Sequence, residues 1–306
     1  MLNVYELSVF LAAAETENFS AAARQLNLTQ PAVSMQIRAL ERELGLQLFH
    51  RSGRTLSLTE QGVALIPMAR EMVRRSIQIR EEIEALKGDV AGRLAIGCST
   101  TTGKYYLPSL VARFRKKFPH VQVSIHNRPR TEVLANLCDG IIHLAIVSAQ
   151  PNCADAEFSH FFDDHVVLVV PTDHPWASRT EIAATELRGV DFILREQSSG
   201  TREEMEVALQ AAGINLDELN IVMEIGNTEA IAMAVEEGIG VAFISRTVAR
   251  RGIELGRLKE VPVAGLSLRR EIFIAHSKRQ PATRAQIEFW NFIHEPENQA
   301  MLQLVA

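Results

Sequence analysis

Residues 19–62 read FSAAARQLNLTQPAVSMQIRALERELGLQLFHRSGRTLSLTEQG, and the order of caps, apolar positions and glycines within them decides the fold of this end of the chain. Ser20 is a good N-cap for a short helix reaching about residue 27, and Ala21, Ala22 and Ala23 let another helix approach closely. Thr29 caps the next helix, over about residues 30–44, with Gln30 and Pro31 in its first turn, where proline's absent N–H leaves no bond unmade. Upstream, Leu7, Phe10, Leu11 and Ala14 recur at helical spacing. Two short helices joined by a tight turn form a helix-turn-helix.

The helix over residues 30–44 divides into two faces. Val33, Ile37, Leu40 and Leu44 recur at the spacing of an inward stripe. Gln30, Ser34 and Arg38, each four apart, form an outward polar ridge with Pro31 and Met35 beside it, and Glu41 and Glu43 come only later. A helix start of this kind suits the DNA major groove: Gln pairs with an adenine edge, Arg with guanine or phosphate, and Met rests on a thymine methyl. An ordinary solvated helix shows the same two faces, so this segment alone leaves both readings open. The next stretch favours DNA. Residues 49–58 read as strand, glycine turn and strand, with Leu56 and Leu58 facing the core and Arg51 and Arg54 flanking the tip. That is the wing of a winged helix, reaching the flanking backbone or minor groove. From Arg24 to Arg54 there are five Arg against two Glu, a local excess of positive charge.

The stretch from Phe19 to Gly62 resembles the DNA-binding signature of LysR-type transcriptional regulators almost position for position. Ala-Ala-x-x-Leu, Thr-Gln-Pro-Ala-Val-Ser, Leu-Glu, Leu-Gly and Leu-Phe-x-Arg follow in order. In that family the residues matching Gln30, Pro31 and Ser34 face the groove, while the position of Met35 is often basic. With the residue reading, the resemblance implies a DNA-facing set of Ser20, Thr29, Gln30, Pro31, Ser34, Met35, Arg38, Arg51 and Arg54. It also implies a double-stranded, interrupted palindromic promoter site as partner and a homodimer that assembles into a tetramer. RNA polymerase is a further partner it allows. The usual family behaviour is activation of a nearby operon and repression of the regulator's own gene.

Thr59 is placed to cap a long helix to about residue 87. Leu65, Ala69, Met72, Ser76, Ile79, Ile83 and Leu86 alternate at +4 and +3, a heptad seam. At 1.5 Å per residue such a helix spans roughly 43 Å, and Pro67 inside it breaks the bond to the Val63 carbonyl. The stripe suits either the chain's own larger domain or an identical partner; the resemblance makes it the dimerisation helix. Residues 88–92 form a short joint.

Beyond it, short apolar strands (94–97, 121–125, 144–147, 166–170, 192–194, 221–225, 241–244, 272–275) alternate with helices at about 105–118, 201–212 and 229–237. Alternation of this kind means an α/β fold with largely parallel sheets. The resemblance implies two lobes in the manner of periplasmic binding proteins, with crossings near residues 161–164 and 263–268. The expected organisation is therefore a winged helix-turn-helix over residues 1–58, mainly α, and a linker helix over 59–88. An effector-binding domain follows over 89–306, its lobe I at about 89–162 and 267–306 and its lobe II at about 163–266.

In open α/β sheets a ligand sits beyond the carboxyl ends of the strands. Those ends carry Ser99, Thr100, Thr101 and Thr102; then Asn127, Arg128, Pro129 and Arg130; Ser148, Ala149 and Gln150; Arg195 to Arg202; and Asn227 with Thr228. Hydroxyls and free N–H groups at helix starts, with arginine nearby, favour an anion. Ser and Thr are also ordinary N-caps, so each loop alone is weak and the convergence carries the reading. The candidate effector residues are Ser99, Thr100, Thr101, Arg128, Ser148, Ser198, Ser199, Thr201, Asn227 and Thr228. The expected ligand is an organic acid, a phosphorylated metabolite or an oxyanion, with no cofactor. The stretches SSGTR and NTEAIAMAVEEGIGVAFIS resemble a LysR-type branch that includes regulators of sulfur assimilation and carbon fixation.

Composition sets the outer bounds. The chain has 306 residues, 47% hydrophobic and 23% charged, with a formal net charge of −5, close to average for globular proteins. No clean apolar run approaches the roughly 18–20 residues of a membrane span. The apolar start is interrupted by Glu6, Glu15 and Glu17 with no basic residue before Arg24, so it does not read as an export signal. Three cysteines without C-x-x-C fit a reducing cytoplasm. Residues 1–88 carry ten basic and ten acidic side chains, so the whole −5 belongs to residues 89–306. A negative body is repelled by DNA, which leaves the tip to grip it.

Catalysis finds little support: Ser199-Gly200 lies outside any G-x-S-x-G, and no Walker lysine or full G-x-G-x-x-G is present. His160, His165 and His174 show no metal-ligand rhythm, so no metal is expected. The alternative to metabolite sensing is a thiol-based redox sensor using Cys98, Cys138 and Cys153.

Overall fold

The computed structural model describes residues 1–52, 55–85, 90–148 and 154–305, and the chain divides into two compact units, Met1–Asp89 and Val90–Ala306. The first unit holds α1 (Val4–Thr16), α2 (Phe19–Gln25), α3 (Gln30–Leu44), β1 (Phe49–Ser52), β2 (Thr55–Leu58) and α4 (Glu60–Ala85). Helix α3 begins and ends where its caps predict. Thr29 Oγ1 accepts from the Ala32 N–H at 3.4 Å, and Gly45, at φ 69°, stops the helix in the left-handed region that glycine enters without strain. The cap of α2 is Asn18, not Ser20. Its Oδ1 accepts from the N–H groups of both Ser20 and Ala21 at 2.9 and 3.0 Å, which puts Ser20 inside the first turn.

Leu7, Phe10, Ala22, Val33, Ile37, Leu40, Leu48 and Phe49 form the core of this unit. The Phe49 ring sits 5.7 Å from Phe10 and 5.5 Å, edge-on, from Phe19. That clamps the start of the hairpin to the helices, each such buried side chain contributing about 1.5–3 kcal/mol. Strands β1 and β2 pair antiparallel from Phe49 opposite Leu58 to Ser52 opposite Thr55. Gly62 has a packing reason: a Cβ there would lie 2.3 Å from the Leu48 carbonyl oxygen. Thr59 caps α4, its Oγ1 accepting from the Gly62 N–H at 3.0 Å.

The seam on α4 is not uniform. Leu65 and Ala69 are buried in the core of the first unit itself, whereas Met72, Ile79 and Ile83 are exposed. The first two seam positions therefore serve the winged-helix core. Leu86 and the first two residues of the joint lie outside the described residues.

In the second unit, β3 (Gly92–Cys98) leads through a π turn (Thr102–Tyr106) into α5 (Leu107–Lys117), followed by β4 (Val121–Asn127), α6 (Arg130–Cys138) and β5 (Leu144–Ser148). The 16-residue strand β6 (Ala156–Pro171) then passes from lobe I into lobe II. Lobe II contains β7 (Ile182–Ala183), β8 (Asp191–Arg195), α7 (Gly200–Ala211), β9 (Asn220–Ile225), α8 (Thr228–Glu236), β10 (Ala242–Ser245), α9 (Arg246–Glu254), β11 (Leu258–Glu260) and β12 (Val263–Ala264). Strand β13 (Leu268–Ser277) returns to lobe I, closed by α10 (Arg284–Ile293) and α11 (Pro296–Val305).

The main sheet runs β10-β6-β13-β5-β3-β4, with β11 also on β6. Strands β3, β4 and β5 pair parallel, as do β8 and β9. The expectation of largely parallel sheets fails at the centre: β6 and β13 pair antiparallel over ten residue pairs, because they carry the chain between lobes in opposite directions. The second crossing falls after Leu268, which packs in the lobe II core, and before Ile272, which packs in the lobe I core. That is later than the expected 263–268, since Val263 also belongs to lobe II.

The split role of α4 predicts unequal effects along one stripe. Leu65→Ala should destabilise the N-terminal unit by about 2–4 kcal/mol, and Ile79→Ala by no more than about 0.5 kcal/mol, in urea unfolding at high dilution. Equal costs would contradict the assignment of Leu65 to the core.

Candidate functional site

The first candidate face is the outward side of α3. Gln30, Pro31, Ser34, Met35 and Arg38 line one open groove together with Glu41, Arg42 and Gln47. Val33, Ile37 and Leu40 on the other side are fully buried, which fixes the rotation of the helix and holds the polar ridge out. Glu41, although in the groove, turns its Oε1 to the N–H of Leu48 at 2.9 Å. Glu43 pairs with the amino terminus. Both carboxylates are thus occupied at the far end of α3, leaving its first turns without an acid. Thr29 and Ser20 are exposed at the starts of α3 and α2, Arg51 lies in β1 opposite Leu56, and Arg54 is outside the described residues.

The second candidate is a cavity of about 170 Å³ between the lobes, at the carboxyl ends of β3, β4, β5 and β8. Seven of the ten candidate effector residues line it: Ser99, Thr100, Thr101, Arg128, Ser148, Ser198 and Ser199. The other three do not line it. Thr201 is buried and accepts from Arg270 Nη1 at 2.7 Å. Asn227 caps α8, accepting from the N–H groups of Glu229 and Ala230. Thr228 accepts from Arg195 Nη1 at 2.5 Å.

The lining also includes Asn127, Arg130, Arg195 and Glu196, which the sequence reading placed at the strand ends without counting them among the candidates, and Arg270, which it did not name. Four arginines thus face the cavity against one carboxylate. Glu196 grips Arg195 in a two-pronged pair at 2.7 Å. Ser199 caps α7, with its Oγ accepting from the Thr201 N–H at 3.2 Å, so the positive end of that helix points at the same space. Arginine forks and helix N-termini are the protein groups that bind carboxylate and phosphate most directly.

Arg270 ties the cavity to the crossing strands. It is buried, and its Nε and Nη2 donate to Asp164 Oδ2 at 2.8 and 2.5 Å. Asp164, 1% exposed, uses its other oxygen to accept from Ser245 Oγ at 2.7 Å. Further bonds span the lobes: Arg130 to Glu203 at 2.7 Å, Tyr106 to Thr247 at 2.7 Å, and Lys104 with Tyr105 onto Glu229. Burial works against the Glu229 carboxylate, but donation from Lys104 and Tyr105 holds its pKa below the ordinary value. At Gly200 a Cβ would lie 2.0 Å from Ser148 Oγ on the opposite lobe, so any larger residue would force that hydroxyl to turn away.

Cys98 lies at the base of the cavity wall. It is fully buried, its thiol 3.4 Å from Asn127 Oδ1, and burial pushes its pKa up to about 12. A thiol held neutral is a poor nucleophile and a poor redox sensor. Cys138 is partly buried at the end of α6, and Cys153 is outside the described residues.

A winged helix-turn-helix presenting a polar recognition ridge, in one chain with a two-lobed α/β unit built around a ligand cleft, defines a ligand-responsive transcriptional regulator. Residues 5–63 match the model for the bacterial regulatory helix-turn-helix protein, lysR family, and residues 87–296 match the LysR substrate binding domain; the chain belongs to the LysR family. It is 35% identical over 272 residues to the HTH-type transcriptional regulator CbbR of Rhizobium meliloti (strain 1021), covering 89% of this chain and 86% of that one. A probable RuBisCO transcriptional regulator of Cyanidioschyzon merolae is 31% identical, covering 93% of this chain and 95% of the relative. These relatives place the chain in the branch that includes regulators of carbon fixation. Among solved structures, the Synechocystis PCC6803 CcmR regulatory domain in complex with 2-PG superposes with TM-score 0.62 at 25% identity, over 69% of this chain and 97% of that one.

Two outcomes follow from this geometry. Arg270→Gln leaves the Asp164 carboxylate buried without its cation and should destabilise the second unit by about 3–5 kcal/mol, most of it recovered in the Arg270→Gln/Asp164→Asn double variant; urea unfolding distinguishes the two. Native Cys98 should resist alkylation by iodoacetamide at pH 8 until the protein unfolds. Because an unfolded cysteine ionises near 8.5 and the folded one near 12, the stability this thiol contributes is fully present below about pH 8.5 and is lost as pH rises towards 12.

Proposed function

We propose that the chain is a sequence-specific DNA-binding regulator switched by a small anionic metabolite held between the lobes of its second unit. The observation that carries this reading is the set of four arginines facing a cavity lined by only one carboxylate, together with the start of α7. A volume of about 170 Å³ suits an organic acid or phosphorylated acid of a few carbons. The CcmR regulatory domain holds 2-PG, and that ligand is the first candidate here.

In the proposed mechanism Ser99, Thr100, Ser198 and Ser199 donate hydrogen bonds to the anion from the two lobes, and Arg128 and Arg195 neutralise it. A ligand touching both lobes binds the closed form better and so shifts the population towards it. Gln30, Ser34 and Arg38 read base edges, and the exposed Met72, Ile79 and Ile83 of α4 meet a second chain, so that a dimer or tetramer presents paired recognition helices. Ligand then alters the spacing of those pairs on an interrupted palindrome. Activation of a neighbouring operon, with RNA polymerase as partner, and repression of its own gene follow the habit of the family. The reading includes no catalysis. Among the described residues no helix is long and apolar enough to cross a membrane.

Calorimetric titration of the full chain with 2-PG, inorganic phosphate and sulfate tests the cleft. Binding of at least one of these should weaken tenfold or more in Arg128→Ala and Ser199→Ala while basal DNA binding persists, since removing a hydrogen bond to a charged group costs about 1.5–3 kcal/mol. Equal binding in the parent and both variants would move the site elsewhere. On DNA, Gln30→Ala and Ser34→Ala should each relax base preference by about 1–3 kcal/mol at particular positions of the operator; unaltered specificity in both would remove α3 from the groove.

A further inference from the structure

A second group of ligating side chains lies on the crossing strands, outside the arginine-lined cavity. One ligand atom each of His160, Asp163 and Glu271 falls within 4.8 Å of the others, the one such group of three among the described residues. In a regular strand, residues three apart point to opposite faces, so His160 and Asp163 should not meet. Strand β6 carries an extra residue that changes this. Asp163 stands opposite Glu271 and Phe162 opposite Ile272, but Phe273 stands opposite His160, leaving Phe161 without a partner on β13. Phe161 and Phe162 are both buried in the lobe I core, and the bulge returns His160 to the face of Asp163 and Glu271.

Two of the three groups are also oriented. The His160 ring is edge-on to Phe273 with centroids 6.0 Å apart, and its Nε2 lies 3.2 Å from Asp163 Oδ1. The other oxygen of Asp163 accepts from Arg269 Nη2 at 2.6 Å. That bond fixes the carboxylate plane, the role outer hydrogen bonds play at metal sites, while Oδ1 would exchange its contact with His160 Nε2 for the metal. Two carboxylates against one guanidinium leave the group net negative.

We propose that His160, Asp163 and Glu271 form a divalent-metal site of the zinc type, bridging β6 and β13 where the chain crosses between lobes. One imidazole and two carboxylates are borderline ligands that suit zinc, whereas magnesium and calcium prefer oxygen alone. With metal–ligand bonds of about 2.0–2.2 Å, ligands on a tetrahedral zinc stand about 3.3 Å apart. The His160–Asp163 separation of 3.2 Å already has that value, and the exposed Glu271 closes the remaining distance by side-chain rotation. Three protein ligands leave a fourth position to water. The neighbours in sequence, Asp164 and Arg270, make the buried ion pair beside the ligand cavity, so a metal tying β6 to β13 here stiffens the hinge and regulates lobe closure.

The test is calorimetric titration of the chelator-treated full chain with Zn²⁺ alone, alongside His160→Gln and Glu271→Gln. Neither substituted side chain is buried, and matching thermal transitions of the metal-free proteins establish that all three are folded. The expected result is one zinc per chain in the parent, raising its melting temperature, with affinity lowered about tenfold or more in each variant. Absence of binding by the parent, or equal affinity in the parent and both variants, overturns the proposal.

Discussion

The Arg270–Asp164 pair is the constraint on which the second unit turns. Two strands carry the chain between the lobes, and this pair joins them at the crossing, nearly out of contact with water. Taking both charges out of water is expensive, and only complete hydrogen bonding offsets it. Asp164 meets that condition with two bonds from Arg270 on one oxygen and the Ser245 hydroxyl on the other. Arg270 spends its remaining amino group on Thr201, in the first turn of α7. The pair therefore fixes three things together: the register of β6 on β13, the position of β10, and the helix start that faces the cavity.

A cavity built this way is sensitive to charge. Most of its arginines already have partners: Glu196 for Arg195, Glu203 for Arg130, and Asp164 for Arg270. Arg128 is the least committed, 3.7 Å from an exposed Glu132. An arriving anion must compete with these carboxylates, and each competition that loosens an interlobe bond changes how the lobes sit. The bonds from Lys104 and Tyr105 to Glu229 close the cleft at another point. Ligand binding and lobe position are thus coupled through the same charges.

The helix-turn-helix was legible because its signals are local. The Thr29 cap and the inward stripe of α3 each act within a few residues, and the structure places them where they were expected. Ser20 was misjudged because Asn18, two residues upstream, offers a side chain that reaches two N–H groups at once. The strand-end hydroxyls and Arg128 could be found from the rule that ligands gather at the carboxyl ends of strands. Arg270 could not, since it lies within a strand distant in sequence from every helix start, and nothing in the spacing of Leu268-Arg269-Arg270-Glu271 says which arginine is buried. The bulge at Phe161 was equally hidden, and with it the meeting of His160 and Asp163, because a one-residue shift in pairing leaves no mark in a single sequence.

Hydrogen exchange of the full chain with and without 2-PG probes the claim that an anion is held between the lobes. Protection should rise together at the backbone amides of residues 99–102 on lobe I and 198–201 on lobe II, with little change in β7 or β12. Protection confined to one lobe, or appearing only at sites remote from the arginines, would contradict it.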